Sequence, residues 1–377
     1  MLRLYGLILL LHAYIGWRLL PDMPFGAVGI AATGIWLGVS AGLMWISLLA
    51  RQKHHPLPDW LTWAGWLAIG ALSSLLVLTF IRDVGLLVAY AVSGFLAEGN
   101  SILQFQSYSA AAVPILAGLA TLMGLVNARR RAKVRSVDIP IADLPAPLHG
   151  FTIAQISDLH IGSTIKRGYV DAIVDAVNEL GADMIAVTGD LVDGSVQQLR
   201  EHTRPLSRLA ARHGVYFVTG NHEYYSGVVR WVAEIRRLGL RVLMNEHVVL
   251  QQGGAAVIVA GVTDYSAGQY DPAHRSDPVA ALAGAPTDAA VKLLLAHQPR
   301  SALAAAPAGF HLQLSGHTHG GQFLPWNFFV RLHQPFTAGL NRLGKLWVYT
   351  SRGTGYWGPP KRLGAPSEIT HLRLVPA

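Results

Sequence analysis

The sequence predicts a two-part protein, with an N-terminal α-helical transmembrane bundle followed by a C-terminal α/β domain. The 377 residues are 51% hydrophobic and only 14% charged, and the apolar excess lies before residue 128. After residue 150, short apolar runs alternate with helical patterns, which is typical of strands alternating with helices. We therefore predict a transmembrane domain over 1–128, a linker over 129–149 and an α/β domain over 150–377.

The first part contains four apolar segments, each long enough to span a bilayer, which takes roughly 17–25 residues. They cover residues 2–20, 25–49, 60–80 and 108–126. A fifth apolar segment, 84–95, is short and contains glycine. It is interpreted as a re-entrant or interfacial piece, or as an extension of the third helix.

Basic loops indicate the orientation of these spans. Arg51 and Lys53 lie between the second and third segments, and a cluster of arginine and lysine over 129–135 follows the last one. With four spans and the N-terminus inside, the positive-inside rule places both basic regions on the cytoplasmic side. We therefore expect an integral membrane protein, in a bacterial inner membrane, with a cytoplasmic α/β domain. A cleaved signal peptide over 1–20 is the alternative, but Leu19 to Asp22 offers no small-residue cleavage site.

The net charge of +8 is better explained by lipid than by nucleic acid. A basic cluster just after an apolar run attracts anionic headgroups at about 1 kcal/mol per residue, and no nucleic-acid-binding module is recognisable. The expected partner is thus a lipid bilayer and not nucleic acid, and the oligomeric state is left open. The linker also contains Pro140, Pro145 and Pro147, which predict an extended tether.

The second part carries five polar motifs, each at the end of a predicted strand. The strands are predicted over 151–156, 184–187, 215–218, 291–295 and 311–314, with helices over 169–180, 199–212 and 228–238. The motifs are Asp-Leu-His from 158, Gly-Asp-Leu-Val-Asp from 189, Gly-Asn-His-Glu from 220, Ala-His-Gln from 296 and Gly-His-Thr-His from 316. Because α/β sheets place their sites at the carboxyl ends of strands, the five motifs are expected to form one site.

The side chains of these motifs suit a pair of divalent metal ions. The candidate ligands are Asp158, His160, Asp190, Asn221, His297, His317 and His319. Two ions about 3.5–4 Å apart can activate a water and clamp a phosphoryl group. Asp190, the central acidic member of the set, is the natural bridge between them. The sequence contains no cysteine, and nitrogen and oxygen donors without sulfur favour Mn, Fe or Zn over Ca or Mg.

Taken in order, the five motifs resemble those of the calcineurin-like metallophosphoesterases, over residues 150–377. The resemblance implies a two-sheet αββα sandwich. It also implies a first metal on Asp158, His160, Asp190 and His319, and a second on Asp190, Asn221, His297 and His317. His222 would be the catalytic residue that assists the leaving group, and Asp193 would orient His222 or a ligand.

The Gly-His-Thr-His-Gly-Gly-Gln segment and the Ser-Arg-Gly-Thr-Gly segment from 351 resemble the membrane-attached branch of that family. Some members cleave the pyrophosphate of UDP-2,3-diacylglucosamine in lipid A biosynthesis, so the resemblance implies a membrane-anchored phosphoesterase acting on a lipid-linked substrate through a metal-bridged hydroxide. Arg352 is a candidate phosphate-binding residue, because nearby glycines would let the backbone approach the site.

Two alternatives remain for the function, and one local feature has two interpretations. The enzyme could instead act on a soluble nucleotide or cell-wall phosphoester, with the helices only as an anchor. A non-catalytic membrane sensor is the other alternative. Trp326, Phe328 and Phe329 are predicted to be core, with a patch that meets lipid or an acyl chain as the second interpretation.

Overall fold

The computed structural model describes residues 2–24, 26–52, 57–96 and 99–377. The chain forms two compact units, one of residues 1–126 with 358–361 and one of 127–357 with 362–377. Phe25, at the predicted start of the second span, and Lys53, in the basic loop, lie outside the described residues.

The first unit is built from long apolar helices. They are α1 Leu2–Leu19, α2 Gly26–Gln52, α3 Asp59–Leu96 and α4 Gly99–Arg129. All four are long and apolar enough to cross a membrane, so the described residues contain four candidate spans, and the predicted four apolar helices are confirmed. The segment 84–95 continues α3, so this helix of 38 residues is about 57 Å long, well over the ~30 Å of a hydrocarbon core.

A charged layer connects the helices of this unit. Arg82 of α3 is buried, and its guanidinium donates to Asp22, to the carbonyl of Arg18 and to Ser109 Oγ. The neighbouring Asp83 accepts a 2.9 Å hydrogen bond from Arg18 Nε. Because every one of these charges has an opposite or polar partner, the layer offsets the desolvation of Arg82 and ties α1, α3 and α4 together.

The second unit contains two six-stranded sheets. The strands are β1 Lys133–Ile141, β2 Thr152–Ile156, β3 Met184–Val187, β4 Val215–Phe217, β5 Arg241–Val242, β6 Glu246–Gln252, β7 Ala255–Gly261, β8 Val291–Leu295, β9 Leu312–Ser315, β10 Gly339–Leu343, β11 Leu346–Thr350 and β12 Glu368–Pro376. The first sheet has the order β1-β12-β2-β3-β4-β5, and the second has the order β10-β11-β9-β8-β7-β6. The strands from β2 to β5 are parallel, as are β7, β8, β9 and β11.

The helices of this unit are α5 Arg167–Asn178, α6 Val196–Thr203, α7 Asn221–Tyr225, α8 Val228–Arg237, α9 Ala302–Ala305 and α10 Trp326–Phe329. One apolar core lies between the sheets, where Ile153 and Met184 of the first sheet meet Leu293 and Leu314 of the second. Another lies on the outer face of the first sheet, against α5, α6 and α8. A third, which includes α9, covers the outer face of the second sheet. This layering confirms the predicted αββα sandwich.

The predicted linker differs from the structure. Residues 133–141 form β1, which pairs in parallel with β12 from Lys133–Glu368 to Ile141–Pro376. β1 is an edge strand, so Pro140 can occupy it, because a missing N–H is tolerated at a sheet edge. The alternation that buries Ile139 and Ile141 outweighs the proline signal, and the expectation of a free tether over this segment was wrong.

The predicted helix over 199–212 is also shorter in the structure. α6 ends at Thr203, and a 3₁₀ turn over Arg204–Arg208 follows it. Pro205 explains the change, because proline disfavours a helical conformation in the preceding residue and cannot donate the next helical hydrogen bond.

Candidate metal centre

The loops after β2, β3, β4, β8 and β9 bring the predicted ligands together. Three groups form, in each of which the ligand atoms lie within 4.8 Å of one another. The groups are Asp158 with His160 and His319, Asp190 with His297 and His317, and His160 with Asp193 and His222. All five motifs therefore contribute to one site at the carboxyl ends of the strands, since Asn221 is buried beside His222.

In the first group, ring nitrogens face each other. His160 Nε2 lies 3.0 Å from His319 Nε2, which is 3.5 Å from Asp158 Oδ1. The other nitrogen of His160, Nδ1, lies 3.1 Å from Asp193 Oδ1. An Nδ1–H that donates to this carboxylate leaves the lone pair of His160 on Nε2, directed into the group, as in histidines that bind metals.

The second group has the same arrangement. His297 Nδ1 donates to the carbonyl of Thr188 at 2.7 Å, so Nε2 is the ring nitrogen that faces the group. That Nε2 is 3.2 Å from Asp190 Oδ2 and 3.2 Å from His317 Nδ1. Asn221 Oδ1 is buried and has no hydrogen-bond partner in the described part of the chain. The ligand atoms of Asp190, His297 and His317 therefore converge within 4.8 Å of one another, as the ligands of one cation would.

The distances fit metal ligation. Two imidazole nitrogens at right angles on one cation, with bonds of about 2.1 Å, would be about 3.0 Å apart. The nitrogen pairs of the two groups are separated by 3.0 and 3.2 Å. Asp190 Oδ2 lies 3.2 Å from His297 Nε2 and 3.9 Å from His160 Nε2, so this oxygen reaches both groups. The residues therefore fit two divalent cations with Asp190 between them.

The pKa shifts of His317 and Asp190 favour the forms that bind a metal. Burial disfavours a charged His297, but Asp190 raises the pKa of His297 well above its ordinary value. Burial, together with His297, lowers the pKa of His317 to about 3, so its imidazole is neutral at pH 7. Burial alone would raise the pKa of Asp190, but His297 and the other imidazoles hold it well below its ordinary value. A charged bridging carboxylate and a neutral imidazole are the states that bind a metal.

His222 lies at the edge of the two groups. Its Nδ1 is 2.5 Å from Asp193 Oδ1, and its backbone N–H donates to Asp190 Oδ1 at 2.8 Å. Burial opposes protonation, but the hydrogen bond to Asp193 and the charge of Asp190 raise the pKa of His222 to about 9. Asp193 contacts both His222 and His160, and its role in orienting them stays a prediction.

The comparisons with known proteins agree with this geometry. The family described as calcineurin-like phosphoesterase matches residues 151–321. An uncharacterized metallophosphoesterase of Aquifex aeolicus is 32% identical over 225 residues, which cover 59% of this chain and 84% of that protein. The chain belongs to the calcineurin-like phosphoesterase family. The resemblance inferred from the motifs is thereby confirmed.

Two longer relatives are similar to this chain over 70% of its length. The transmembrane protein with metallophosphoesterase domain of Danio rerio is 38% identical over 271 residues, 70% of this chain and 62% of that protein. The Bos taurus protein of the same name is 40% identical over 279 residues, 70% of this chain and 63% of that protein. The chain therefore spans less than two thirds of the length of these relatives.

The backbone of this metallophosphoesterase site is unusual in a way that the sequence does not reveal. Five of the candidate ligands have a left-handed backbone, with φ between 50° and 69°; they are Asp158, His160, Asp190, His317 and His319. Non-glycine residues rarely adopt this conformation, although Asp and His do so more than most. Strained backbone of this kind is concentrated at functional sites, where the surrounding structure enforces it.

The glycines of the motifs are explained by close approach between loops. A Cβ on Gly220 would lie 2.1 Å from Asp190 Oδ1, and one on Gly316 would lie 1.9 Å from Ser157 Oγ. Both distances are far below any real contact. The ligand loops can meet only because these positions carry no side chain.

Two residues that sequence reasoning did not assign support the ligand loops. The Glu223 carboxylate accepts the N–H groups of Gly220, Asp190 and Leu191 at 2.6, 3.0 and 2.8 Å, which joins two loops. The buried Arg362 guanidinium donates to the carbonyl of His319 at 2.9 Å and lies 3.1 Å from His319 Nδ1. The glutamate at the end of Gly-Asn-His-Glu was a usable signal, whereas nothing local marks Arg362.

The predicted phosphate contact, Arg352, pairs with a carboxylate of β12. Its Nη1 is 3.1 Å from Glu368 Oε2, and its side chain is partly exposed. Its role toward a phosphate stays a prediction.

Exposed aromatic rings surround His222. The ring centroids of Tyr225 and Trp357 lie 5.0 and 6.0 Å from that of His222, and Tyr270 lies 5.8 Å from Tyr225. All three rings are about half exposed. Sequence reasoning missed this rim, although Tyr225 stands two residues after Glu223 and Trp357 follows the Ser-Arg-Gly-Thr-Gly segment.

Proposed function

We propose that the protein is a membrane-anchored, two-metal phosphoesterase that hydrolyses a phosphodiester or a pyrophosphate. The observation that carries the proposal is the convergence of His and Asp side chains from five loops into three groups, in each of which the ligand atoms lie within 4.8 Å of one another. Asp158, His160, Asp190 and His319 would hold one ion, and Asp190, Asn221, His297 and His317 the other. Two divalent ions bound there, of Mn, Fe or Zn, would activate a water and neutralise charge on the phosphoryl oxygens.

The chain's own residues have distinct parts in this chemistry. Asp190 separates and orients the two ligand groups, because one of its oxygens faces both. His222 projects at the edge of the site, where its imidazole can donate a proton or a hydrogen bond to the leaving-group oxygen. Asp193 accepts from His222 Nδ1 and so directs the other ring nitrogen, Nε2, away from itself and toward the site. No serine or cysteine nucleophile is required.

The proposed substrate is lipid-linked, such as UDP-2,3-diacylglucosamine. Four candidate spans support it, because an anchored enzyme meets a lipid-linked phosphoester without its leaving the bilayer. The aromatic rim beside His222 also supports it, since exposed Tyr and Trp rings can stack on a planar base or contact an apolar chain. The basic loops favour a bacterial inner membrane protein with a cytoplasmic phosphoesterase unit.

Hydrolysis by the purified full-length chain tests the proposal. With Mn²⁺ added, we expect release of UMP from UDP-2,3-diacylglucosamine, reduced at least 100-fold by Asp190→Asn. Asp288→Asn is the matched control and should keep full activity, because it removes an exposed carboxylate that precedes β8, at the end of the strand opposite to His297. Activity that survives in Asp190→Asn would refute the assignment of the site.

A soluble nucleotide is the second candidate substrate, because the same aromatic rim suits a free nucleobase. The two candidates differ in their dependence on a lipid environment. If turnover of the physiological substrate is equal in detergent and in lipid nanodiscs, and a soluble phosphodiester competes for it fully, the soluble candidate is favoured.

A further inference from the structure

The segment 324–332 exposes five large apolar side chains within nine residues. They are Leu324, Trp326, Phe328, Phe329 and Leu332, of which Phe328 is 68% and Leu332 is 75% exposed. We call this the 324–332 surface. The prediction that Trp326, Phe328 and Phe329 belong to the core was therefore wrong.

This exposure does not result from a frayed end. A Cβ on Gly321 would lie 2.1 Å from the Cα of Asn327, so the segment packs directly against the loop that carries His319. The backbone N–H of Leu324 donates to the carbonyl of Leu363 at 3.0 Å, and Phe328 N–H donates to Pro325 O at 3.1 Å. The backbone of the segment is thus fixed by hydrogen bonds and packing, while its apolar side chains are exposed to solvent.

Elsewhere in the second unit, large exposed apolar residues of the described chain stand singly, apart from the aromatic rim around His222. Soluble surfaces rarely group several such side chains, and groups of this kind mark sites of interaction. Arg331 lies on the same segment, is exposed, and forms no ion pair with any described residue. Surfaces that bind at the boundary between lipid headgroups and acyl chains combine aromatic and aliphatic side chains with nearby basic residues. The 324–332 surface has this composition.

We propose that the 324–332 surface docks on a lipid bilayer. A bilayer is the occupant that the chain itself brings close, because it carries four candidate spans. Phe328, Phe329 and Leu332 would enter the headgroup boundary, Trp326 would lie at that boundary, and Arg331 would contact anionic phosphates. Since the segment follows the His317 and His319 loop, docking would also set the height of the metal centre above the lipid.

The complete absence of cysteine allows a direct test on the full-length chain. A single cysteine at Phe328→Cys, labelled with an environment-sensitive nitrobenzoxadiazole dye, reports contact with lipid. Val229→Cys, an exposed apolar position on α8, is the matched control. In nanodiscs that contain phosphatidylglycerol and hold one chain each, we expect a blue-shifted Phe328 probe, quenched at least twofold more by doxyl-labelled lipid than the Val229 probe.

Equal, water-like emission and equal quenching at both positions would overturn the proposal. If a second copy of the chain docks there instead, the blue shift should require two chains in a disc and should not respond to doxyl-labelled lipid. That result would also overturn the proposal. Leu332→Cys gives a second probe if Phe328→Cys does not fold.

A serine variant separates docking from catalysis. Phe328→Ser with Leu332→Ser should lose quenching of a dye placed at Phe329→Cys, yet keep metal content and hydrolysis of a water-soluble aryl phosphodiester. The probe result does not depend on turnover, so it can fail or succeed whether or not the proposed phosphoesterase activity is found.

Discussion

Gly220 illustrates how single residues decide whether the metal centre can form. Its φ of −97° is open to any amino acid, so backbone conformation does not demand glycine there. The demand is steric, because a Cβ would meet Asp190 Oδ1 at 2.1 Å. The Gly-Asn-His-Glu motif therefore includes a packing requirement, which becomes apparent only when the loops of Gly220 and Asp190 are seen in contact.

We expect Gly220→Ala to weaken metal binding by about 10–100-fold, since overpacking of a tight site costs typically 1–3 kcal/mol. Gly168→Ala is the control, because Gly168 lies in α5 with nothing within 4 Å of the added Cβ. Metal content by mass spectrometry after dialysis against limiting Mn²⁺ measures the effect. Retention of two ions per chain in Gly220→Ala would show that the loops can move apart freely.

At the scale of residues, the sequence predicted the candidate metal ligands well. It predicted poorly the residues that hydrogen-bond to the ligand loops. The order and spacing of the motifs identified Asp158, Asp190 and the histidines. Arg362 could not be found, because its contact with His319 joins residues 43 positions apart and no local pattern records it. Glu223 stands in one of the motifs, which was a signal, but the contact of its carboxylate with the backbone of another loop could not be predicted.

At the scale of elements, β12 is the strand on which the first sheet depends. It lies between β1 and β2, parallel to one and antiparallel to the other, although it follows all five motifs in the chain. The strands before the motifs were predictable, because each is a short apolar run. β1 and β12 were not, since β1 contains charges and a proline and their pairing spans most of the unit.

A chain that ends at Ser367 should lose its first sheet. Removal of β12 leaves the hydrogen-bonding edges of β1 and β2 without partners and opens the core beneath Leu372. We expect fast trypsin digestion of residues 127–357 in the truncated protein, with the metal centre lost as well. Arg373→Ala, which breaks only an exposed pair with Asp138, should digest as slowly as the native chain; equal digestion of all three proteins would contradict this dependence.

At the scale of the whole molecule, the proposed ions should stabilise the fold that binds them. The site gathers two buried carboxylates and several buried imidazoles, which a cation can neutralise and join. A ligand at 100 times its Kd adds about 2.7 kcal/mol to the free energy of unfolding. The stability of the phosphoesterase unit is thus expected to follow metal concentration.

We expect a chelator to lower the unfolding temperature of the full-length protein by on the order of 5–10 °C, from that free energy and the size of the unit. In Asp190→Asn the shift should be at most half as large, because the shared ligand has lost its charge. Differential scanning calorimetry in nanodiscs measures both shifts. An unchanged temperature on chelation of the native chain would argue against structural ions in this site.

The left-handed backbone of the ligand residues bears on the stability of the chain. Each such residue costs roughly 1–2 kcal/mol that glycine would avoid, and five of them stand at the site. The free energy of unfolding of a protein is only about 5–15 kcal/mol. Glycine at these positions would therefore raise it by a substantial fraction if the side chains were not needed for hydrolysis. The chain instead carries aspartate or histidine at every one, so it gives up folding stability at the positions where metal ligation requires these side chains.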